Sequence, residues 1–303
     1  VPDVVMITNP AAGRGRGAAA ADAAEARLRE LGVEPRRLTG ESADDTRRLM
    51  AEAIASGPDL IALVGGDGTL AAVVDEAAAA RIPLALIPAG TGNDLARALG
   101  IPYGSPEAAA DAAALIVHGA TASLDVGEAI CPEGSRRFLT IAALGFDAKV
   151  SERTNSLRWP RGKARYYLAL VIELLRLRPT AFTIAFDGEA PEPAAGTLVA
   201  VGNTRSYGGG MPVCPDADPQ DGMLDVVRVA PLGRLRLLRL FPRLLNGTHL
   251  ALPEASSRPV REVTVSAPDL LVYADGERVG SGTVRIRILP GALRIVLPAG
   301  RRA

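Results

Sequence analysis

The chain of 303 residues carries 34 basic and 34 acidic side chains, so no overall field draws it to nucleic acid or to an anionic surface. Its length and 48% hydrophobic content fit two globular domains and exclude a disordered or fibrous chain. Cys131 and Cys214 lack a metal-ligand spacing, and His118 and His249 are too isolated for a triad, so a disulfide framework, a zinc site and histidine catalysis are not expected.

Taken in chain order, the predicted elements first alternate: strand 4–8, helix 18–31, strand 34–38, helix 44–56, strand 60–64, helix 70–80 and strand 84–87. That order is the signature of a Rossmann-like, doubly wound parallel sheet. After Ser123 the pattern changes to short β-rich runs at 124–128, 138–144, 182–186, 197–201, 224–229, 260–266, 270–273, 284–289 and 293–297. These predict an antiparallel β-sandwich, interrupted by helices at 163–177 and 232–245. The expected division is therefore an α/β domain over 1–122, with 291–303 packing back on it, and a β-sandwich domain over 123–290. The active site is expected in the cleft between them.

Three strand ends of the first domain run into glycine-containing loops: Asn9-Pro10-Ala11-Ala12-Gly13, Gly65-Gly66-Asp67-Gly68-Thr69, and Pro88 through Gly90-Thr91-Gly92-Asn93-Asp94. Ligands of such sheets bind beyond the carboxyl ends of the strands, so three converging loops mark a site. Glycine lets backbone N–H groups approach a phosphate closely, and Thr69 is placed to cap the helix that follows. Asp67 does not fit a bare anion cradle, because two unit charges 4 Å apart repel by about 4 kcal/mol at an effective dielectric of about 20. A carboxylate there calls for a bridging Mg²⁺ or a reacting hydroxyl; the alternative is a plain glycine turn with an acid in the first turn of a helix. Arg14, Arg16 and Arg97 flank these loops as candidate counter-charges, and no lysine-bearing Walker loop is present.

Together, the ordered motifs resemble the diacylglycerol kinase catalytic family, in particular the soluble bacterial lipid kinases related to sphingosine kinases. They are Asn9-Pro10 with Gly13, Gly65 to Thr69, Gly90 to Arg97, Gly145-Phe146-Asp147-Ala148, Asp221-Gly222-Met223-Leu224-Asp225 preceded by Pro215 and Ala217, and Asp275-Gly276-Glu277. The resemblance covers nearly the whole chain. It implies that Asn9, Pro10, Ala11, Ala12, Gly13, Thr39, Gly65, Gly66, Asp67, Gly68, Thr69, Leu70, Ala71 and Thr91 surround ATP. For Thr39 the residues themselves give no separate support. It further implies that Glu277 is the general base beside Asp275, that Asp94 and Asp125 lie near the transferred phosphate with Asp67, and that Asp218, Asp221 and the Met223 carbonyl hold a second Mg²⁺. Hard oxygen ligands suit that ion. Local sequence alone also reads Asp275-Gly276 as a hairpin turn, a reading preferred for the second copy, Asp187-Gly188-Glu189.

The implied reaction is transfer of the γ-phosphoryl group of ATP to a lipid hydroxyl, with diacylglycerol as first choice of acceptor. An NAD kinase and a catalytically silent nucleotide- or lipid-binding protein are the alternatives. A dehydrogenase reading rests on Gly13-Arg14-Gly15-Arg16-Gly17-Ala18 with Glu34, and it leaves the later motifs unexplained. No apolar run reaches the roughly 20 residues of a membrane span, so a cytoplasmic protein that visits the membrane surface is expected. Its partners would be ATP and a membrane lipid, with no nucleic acid, and a homodimer is allowed for. Candidate surface contacts are the helix at 232–245, whose other reading is a helix covering a sheet, and the stretch 158–167, which holds the sole Trp.

Overall fold

The computed structural model describes residues 1–157, 159–160 and 163–300, Lys163 by its backbone alone. Strands β1 (Val4–Thr8), β2 (Arg36–Thr39), β3 (Leu60–Gly65) and β4 (Leu84–Pro88) pair in parallel in the order β2-β1-β3-β4. Every residue of β1, β3 and β4 is buried, as the continuous Val/Ile/Leu runs require of strands covered on both faces. Helices α1 (Ala12–Glu30), α2 (Ala43–Ser56), α3 (Asp67–Ala71), α4 (Val74–Ala80), α5 (Asp94–Leu99) and α6 (Pro106–His118) supply the cover. Their ends follow local chemistry: Ser42 and Ser105 accept the N–H groups of Asp45 and Ala108, and Gly57 closes α2 in the left-handed region.

The second half contributes β5 (Ala120–Cys131), β6 (Gly134–Phe138), β7 (Ile141–Gly145), α7 (Phe146–Ser156), α8 (Lys163–Leu175), β8 (Thr180–Phe186), β9 (Glu192–Gly196), β10 (Leu198–Gly202), β11 (Leu224–Val229), α9 (Arg234–Leu245), β12 (Ala255–Val260), β13 (Glu262–Ser266), β14 (Leu271–Ala274), β15 (Glu277–Ser281) and β16 (Val284–Leu297). A six-stranded antiparallel sheet runs β12-β11-β10-β7-β14-β15. It faces β8, β13 and the first part of β16 across an apolar core that includes Phe138, Phe182, Val201, Val226, Val263 and Ile286. The fold is thus an N-terminal α/β unit with a C-terminal antiparallel sandwich.

Several elements depart from expectation: the runs at 138–144 and 260–266 each divide between two strands, β6 with β7 and β12 with β13, and Phe146–Ser156 is a helix, α7. The runs at 284–289 and 293–297 are one strand, β16, bent by a bulge between Leu289 and Leu293, where Gly291 takes φ 59°. Through β16 the parallel strands and the β13-β8-β9 run join in a single ten-stranded sheet, because Ile295 pairs with Leu84 while Val284 to Arg287 pair with β13. The helix expected at 70–80 starts at Asp67 and breaks between α3 and α4. The chain after β1 makes a first helical turn, passes through left-handed Gly13, Arg14 and Gly15, and only then continues as regular α1. Gly13 therefore lies well past the end of β1 rather than in the tight strand-to-helix turn of a dinucleotide fingerprint.

Candidate active site

The three glycine loops converge so closely that side chains are excluded. A Cβ on Gly13 would lie 1.8 Å from the Ala89 carbonyl oxygen, and one on Gly66 2.8 Å from the Cα of Gly90. Asn9 ties the first loop to the second: its amide donates to the Thr69 hydroxyl at 3.4 Å, while its Oδ1 accepts the Ala11 N–H at 3.1 Å. Arg16, offered as a phosphate counter-charge, spends its guanidinium on the Gly13 and Gly90 carbonyls. Arg97 likewise donates to the Gly92 carbonyl and the Tyr103 hydroxyl. Arg14 is exposed, lines the cleft and makes no hydrogen bond among the described residues, so it is the cation left for a ligand.

Asp67 sits at the junction. Its two oxygens accept the N–H groups of Asn93 (2.7 Å) and Asp94 (2.8 Å), which fixes the carboxylate across the base of the third loop. Burial, then the charge of Asp94, pushes its pKa up to about 6, against the pull of those two N–H groups. A carboxylate raised in this way gains most from a nearby cation. Asp94 is buried, and both its oxygens accept the N–H of Gly209 (2.9 and 3.1 Å), from the loop that follows β10. This bond clasps the two halves of the chain together over the cleft.

The cleft between them has a volume of 1060 Å³ and is lined by Gly13, Asp67, Thr91 and Asp94 on one side and by Thr140, Tyr166, Tyr207 and Asp275 on the other. A shallower groove of 340 Å³ continues past Asn9, Ala12, Gly66 to Thr69, Gly90 to Gly92 and the start of α2 at Ala43 and Thr46. Thr39, Pro10, Ala11 and Ala71 line neither of these spaces. Thr39 is exposed at the end of β2, and Ala71 is buried beneath the loop, its carbonyl taken by Arg136. Leu70 lines the cleft, and Gly65 closes the strand behind it.

Asp275 and Gly276 form the β14-β15 turn with φ values of 49° and 79°, matching the 47° and 80° of Asp187 and Gly188 in the β8-β9 turn. Both aspartates act as buckles. Asp275 accepts the N–H groups of Leu139 (2.8 Å) and Thr140 (2.9 Å) with the Thr140 hydroxyl, and Asp187 those of Arg261 and Glu262. Burial pushes Asp275 above the ordinary carboxylate range, against the Thr140 hydroxyl bond. The two copies diverge at the glutamate. Glu189 is paired with Arg258, whereas Glu277 is exposed and makes no side-chain hydrogen bond or ion pair among the described residues; it follows the cleft-lining Gly276 but itself lines neither space. Turn chemistry thus accounts for the aspartate in both places, and the copies differ in whether the glutamate is ion-paired.

Asp125 is not brought to this cleft. Its carboxylate is buried and accepts the N–H groups of Gly222 and Gly291, each at 2.7 Å, so it ties the 218–223 loop to the bulge of β16. In that loop Asp218 Oδ1 accepts the Gln220 N–H and Asp221 Oδ1 the Met223 N–H, which leaves the second oxygen of each carboxylate unengaged. Burial raises Asp221, and the charges of Asp218 and Asp125 add to the effect. Two crowded carboxylates are hard oxygen donors of the kind Mg²⁺ takes when waters complete its shell. Among the described residues no group of three or more Asp, Glu, His or Cys could hold a metal on its own.

Several residues in or behind the cleft wall had no role assigned from sequence. Asp147, buried in the first turn of α7, accepts the Tyr207 hydroxyl, and burial pushes its pKa up to about 6. Asn203 donates to the carbonyls of Asp125 and Leu139, fixing the backbone beside Thr140. The Gly145 to Ala148 motif pointed at Asp147 without giving it a role; Tyr207 and Gly209 are visible only in three dimensions. His249 is buried with Nε2 on the Val213 carbonyl and takes no part in the site.

The diacylglycerol kinase catalytic domain model matches residues 3–129, and the YegS C-terminal NAD kinase beta sandwich-like domain model matches residues 140–297. A protein named diacylglycerol kinase from Mycobacterium tuberculosis is 43% identical over 296 residues, 97% of this chain and 95% of that one. A protein named "Probable lipid kinase YegS-like" from Stenotrophomonas maltophilia is 35% identical, covering 87% of this chain and 86% of its own. Among solved structures, a diacylglycerol kinase from Bacillus anthracis superposes with a TM-score of 0.72 at 23% identity over 98% of this chain and 97% of that one. An NAD kinase from Archaeoglobus fulgidus in complex with ATP gives 0.56 at 15% identity, covering 99% of this chain and 95% of its own, a likeness of fold alone.

Proposed function

The chain belongs to the diacylglycerol kinase catalytic family, lipid kinases that phosphorylate an alcohol, and from that premise we propose that it transfers the γ-phosphoryl group of ATP to the free hydroxyl of diacylglycerol. The observation that carries the reading is Asp67, fixed by two backbone N–H groups at the meeting of three glycine loops and facing Asp275 across the cleft. In this reading the triphosphate lies over the N–H groups of Gly13 and Arg14 and of Gly66 to Gly68, with the Arg14 guanidinium as counter-charge. Asp67 and Asp94 would hold Mg²⁺, which, when bound, neutralises the phosphate charge. Asp218, Asp221 and the Met223 carbonyl would hold a second ion that orders their loop.

Phosphoryl transfer asks little covalent chemistry of the protein beyond positioning and charge. Glu277 accepts the proton of the lipid hydroxyl as its oxygen bonds to the γ-phosphorus, and the bond from that phosphorus to the β,γ-bridging oxygen breaks to release ADP. Asp275 positions the turn that carries Glu277. The test supplies labelled ATP and Mg²⁺ with diacylglycerol, sphingosine, ceramide, phosphatidylglycerol or NAD. Labelled phosphatidic acid is expected; label in NAD alone would overturn the lipid assignment.

A further inference from the structure

Helix α9 carries four arginines and no acid, in a chain whose formal charge is zero. It does cover the fold, burying Leu237, Leu240 and Leu244 in a core shared with α8. A helix with only that task presents a polar outer face. Instead Leu235 is 76% exposed, Leu238 52% and Leu245 50%. At roughly 100° per residue these three and Pro242 fall within an arc of about 80°. Arg239, Arg243 and Arg236 lie along the next arc of about 60°. Arg236 pairs with Glu254, while Arg234, Arg239 and Arg243 make no ion pair among the described residues. An exposed apolar stripe beside an arginine band is the pattern of a helix lying in a lipid interface.

The start of α9 meets the end of α8 at a groove of 730 Å³ lined by Leu177, Pro179, Leu232, Leu235 and Arg236, with no acid in its wall. Arg176 and Arg178 flank it, exposed and without an ion pair among the described residues. Its neighbour Leu175, 63% exposed, extends the apolar stripe onto α8. At its other end α8 contributes Arg165 and Tyr166 to the cleft. One helix therefore reaches from this surface to the wall of the active site.

We propose that the outer face of α9, continued onto the end of α8, docks the enzyme on an anionic phospholipid bilayer. The proposal deepens the lipid-kinase reading and rests on it for its sense. It commits to a bilayer because leucines and unpaired arginines together match acyl chains beneath acidic headgroups. Each arginine near such a surface raises binding about fivefold, and salt screens the gain.

The test uses the full chain with sedimented vesicles of phosphatidylcholine, alone or with phosphatidylglycerol. Wild-type protein is expected on the mixed vesicles and released by salt. Leu235→Ser/Leu238→Ser should lower that binding about tenfold or more. Arg239→Gln/Arg243→Gln should lower it roughly 20-fold on mixed vesicles and leave pure phosphatidylcholine unaffected. Phosphorylation of a dispersed short-chain diacylglycerol should be unchanged in both variants, which shows that they fold. Vesicle binding unchanged in both variants overturns the surface. So does a wild-type dimer that the leucine variant converts to monomer with vesicle binding intact, since the face would then belong to a second copy. If the wild type binds as described but phosphorylates no lipid, the kinase assignment fails and the surface stands.

Discussion

At the scale of the residue, the site depends on carboxylates whose surroundings separate their tasks. Asp67 titrates near pH 6 in the folded chain against an ordinary 3.8, so the folded state binds its proton more readily than the unfolded one. The stability this contributes is complete below about pH 4 and is lost as pH rises through about 6. Without divalent cations, Asp67→Asn should therefore gain on the wild type by about 1 to 2 kcal/mol between pH 4.5 and pH 7.5, allowing for screening of a partly exposed group. Asp147 titrates in the same range and is common to both proteins, so the measured quantity is the difference between their melting curves. A difference that does not move with pH would refute the assignment. Glu277→Gln should lose at least about 100-fold in kcat with an unchanged melting temperature, while Glu189→Gln, in the matching turn, should leave kcat alone. Equal losses from the two, or none, would return Asp275-Gly276-Glu277 to the status of a turn.

At the scale of the element, Asp125 shows what local sequence conceals. The resemblance places it beside the transferred phosphate, yet its carboxylate joins β5 to the 218–223 loop and to the bulge of β16 through the N–H groups of Gly222 and Gly291. Asp125→Ala leaves both donors without a partner and should destabilise by about 3 to 5 kcal/mol; Asp125→Asn keeps one acceptor and should lose about half as much. Chemical unfolding of the purified variants measures both, and wild-type stability with depressed activity would restore the catalytic role. The glycine loops, the buried parallel strands and the change to β-rich runs were legible because steric rules and hydrophobic periodicity act over a few residues. Helix α7 was not, since Phe146 to Ser156 mixes buried Asp147 with a largely polar run and lacks a clean amphipathic stripe. Nor were the joining of two predicted strands into β16 or the bond from Gly209 to Asp94, because each links positions over 100 residues apart or depends on a bulge that periodicity reads as a break. Helix 232–245 was legible as amphipathic, but not which leucines point outward, because Leu238 and Leu245 share the apolar half with Leu237 and Leu244.

At the scale of the molecule, β5 and β16 make the two halves mechanically one. Their long antiparallel pairing runs from Ala120–Leu297 to Ile130–Arg285, and β16 also bonds to β4 at one end and to β13 at the other. Chains of two independently cored units commonly unfold in separate steps. Here neither core can lose β16 without uncovering the other: Leu293, Ile295 and Leu297 belong to the N-terminal core, and Val284, Ile286 and Ile288 to the core of the sandwich. The chain should accordingly unfold in urea as one transition. Hydrogen exchange at β1 and β3 should lose protection at the same denaturant concentration as exchange at β10 and β11. Ile295→Asp buries a charge on the N-terminal side, yet it should lower both midpoints together rather than the first alone. Midpoints separated by more than about 0.5 M urea would show instead that the shared strand transmits no stability between the halves.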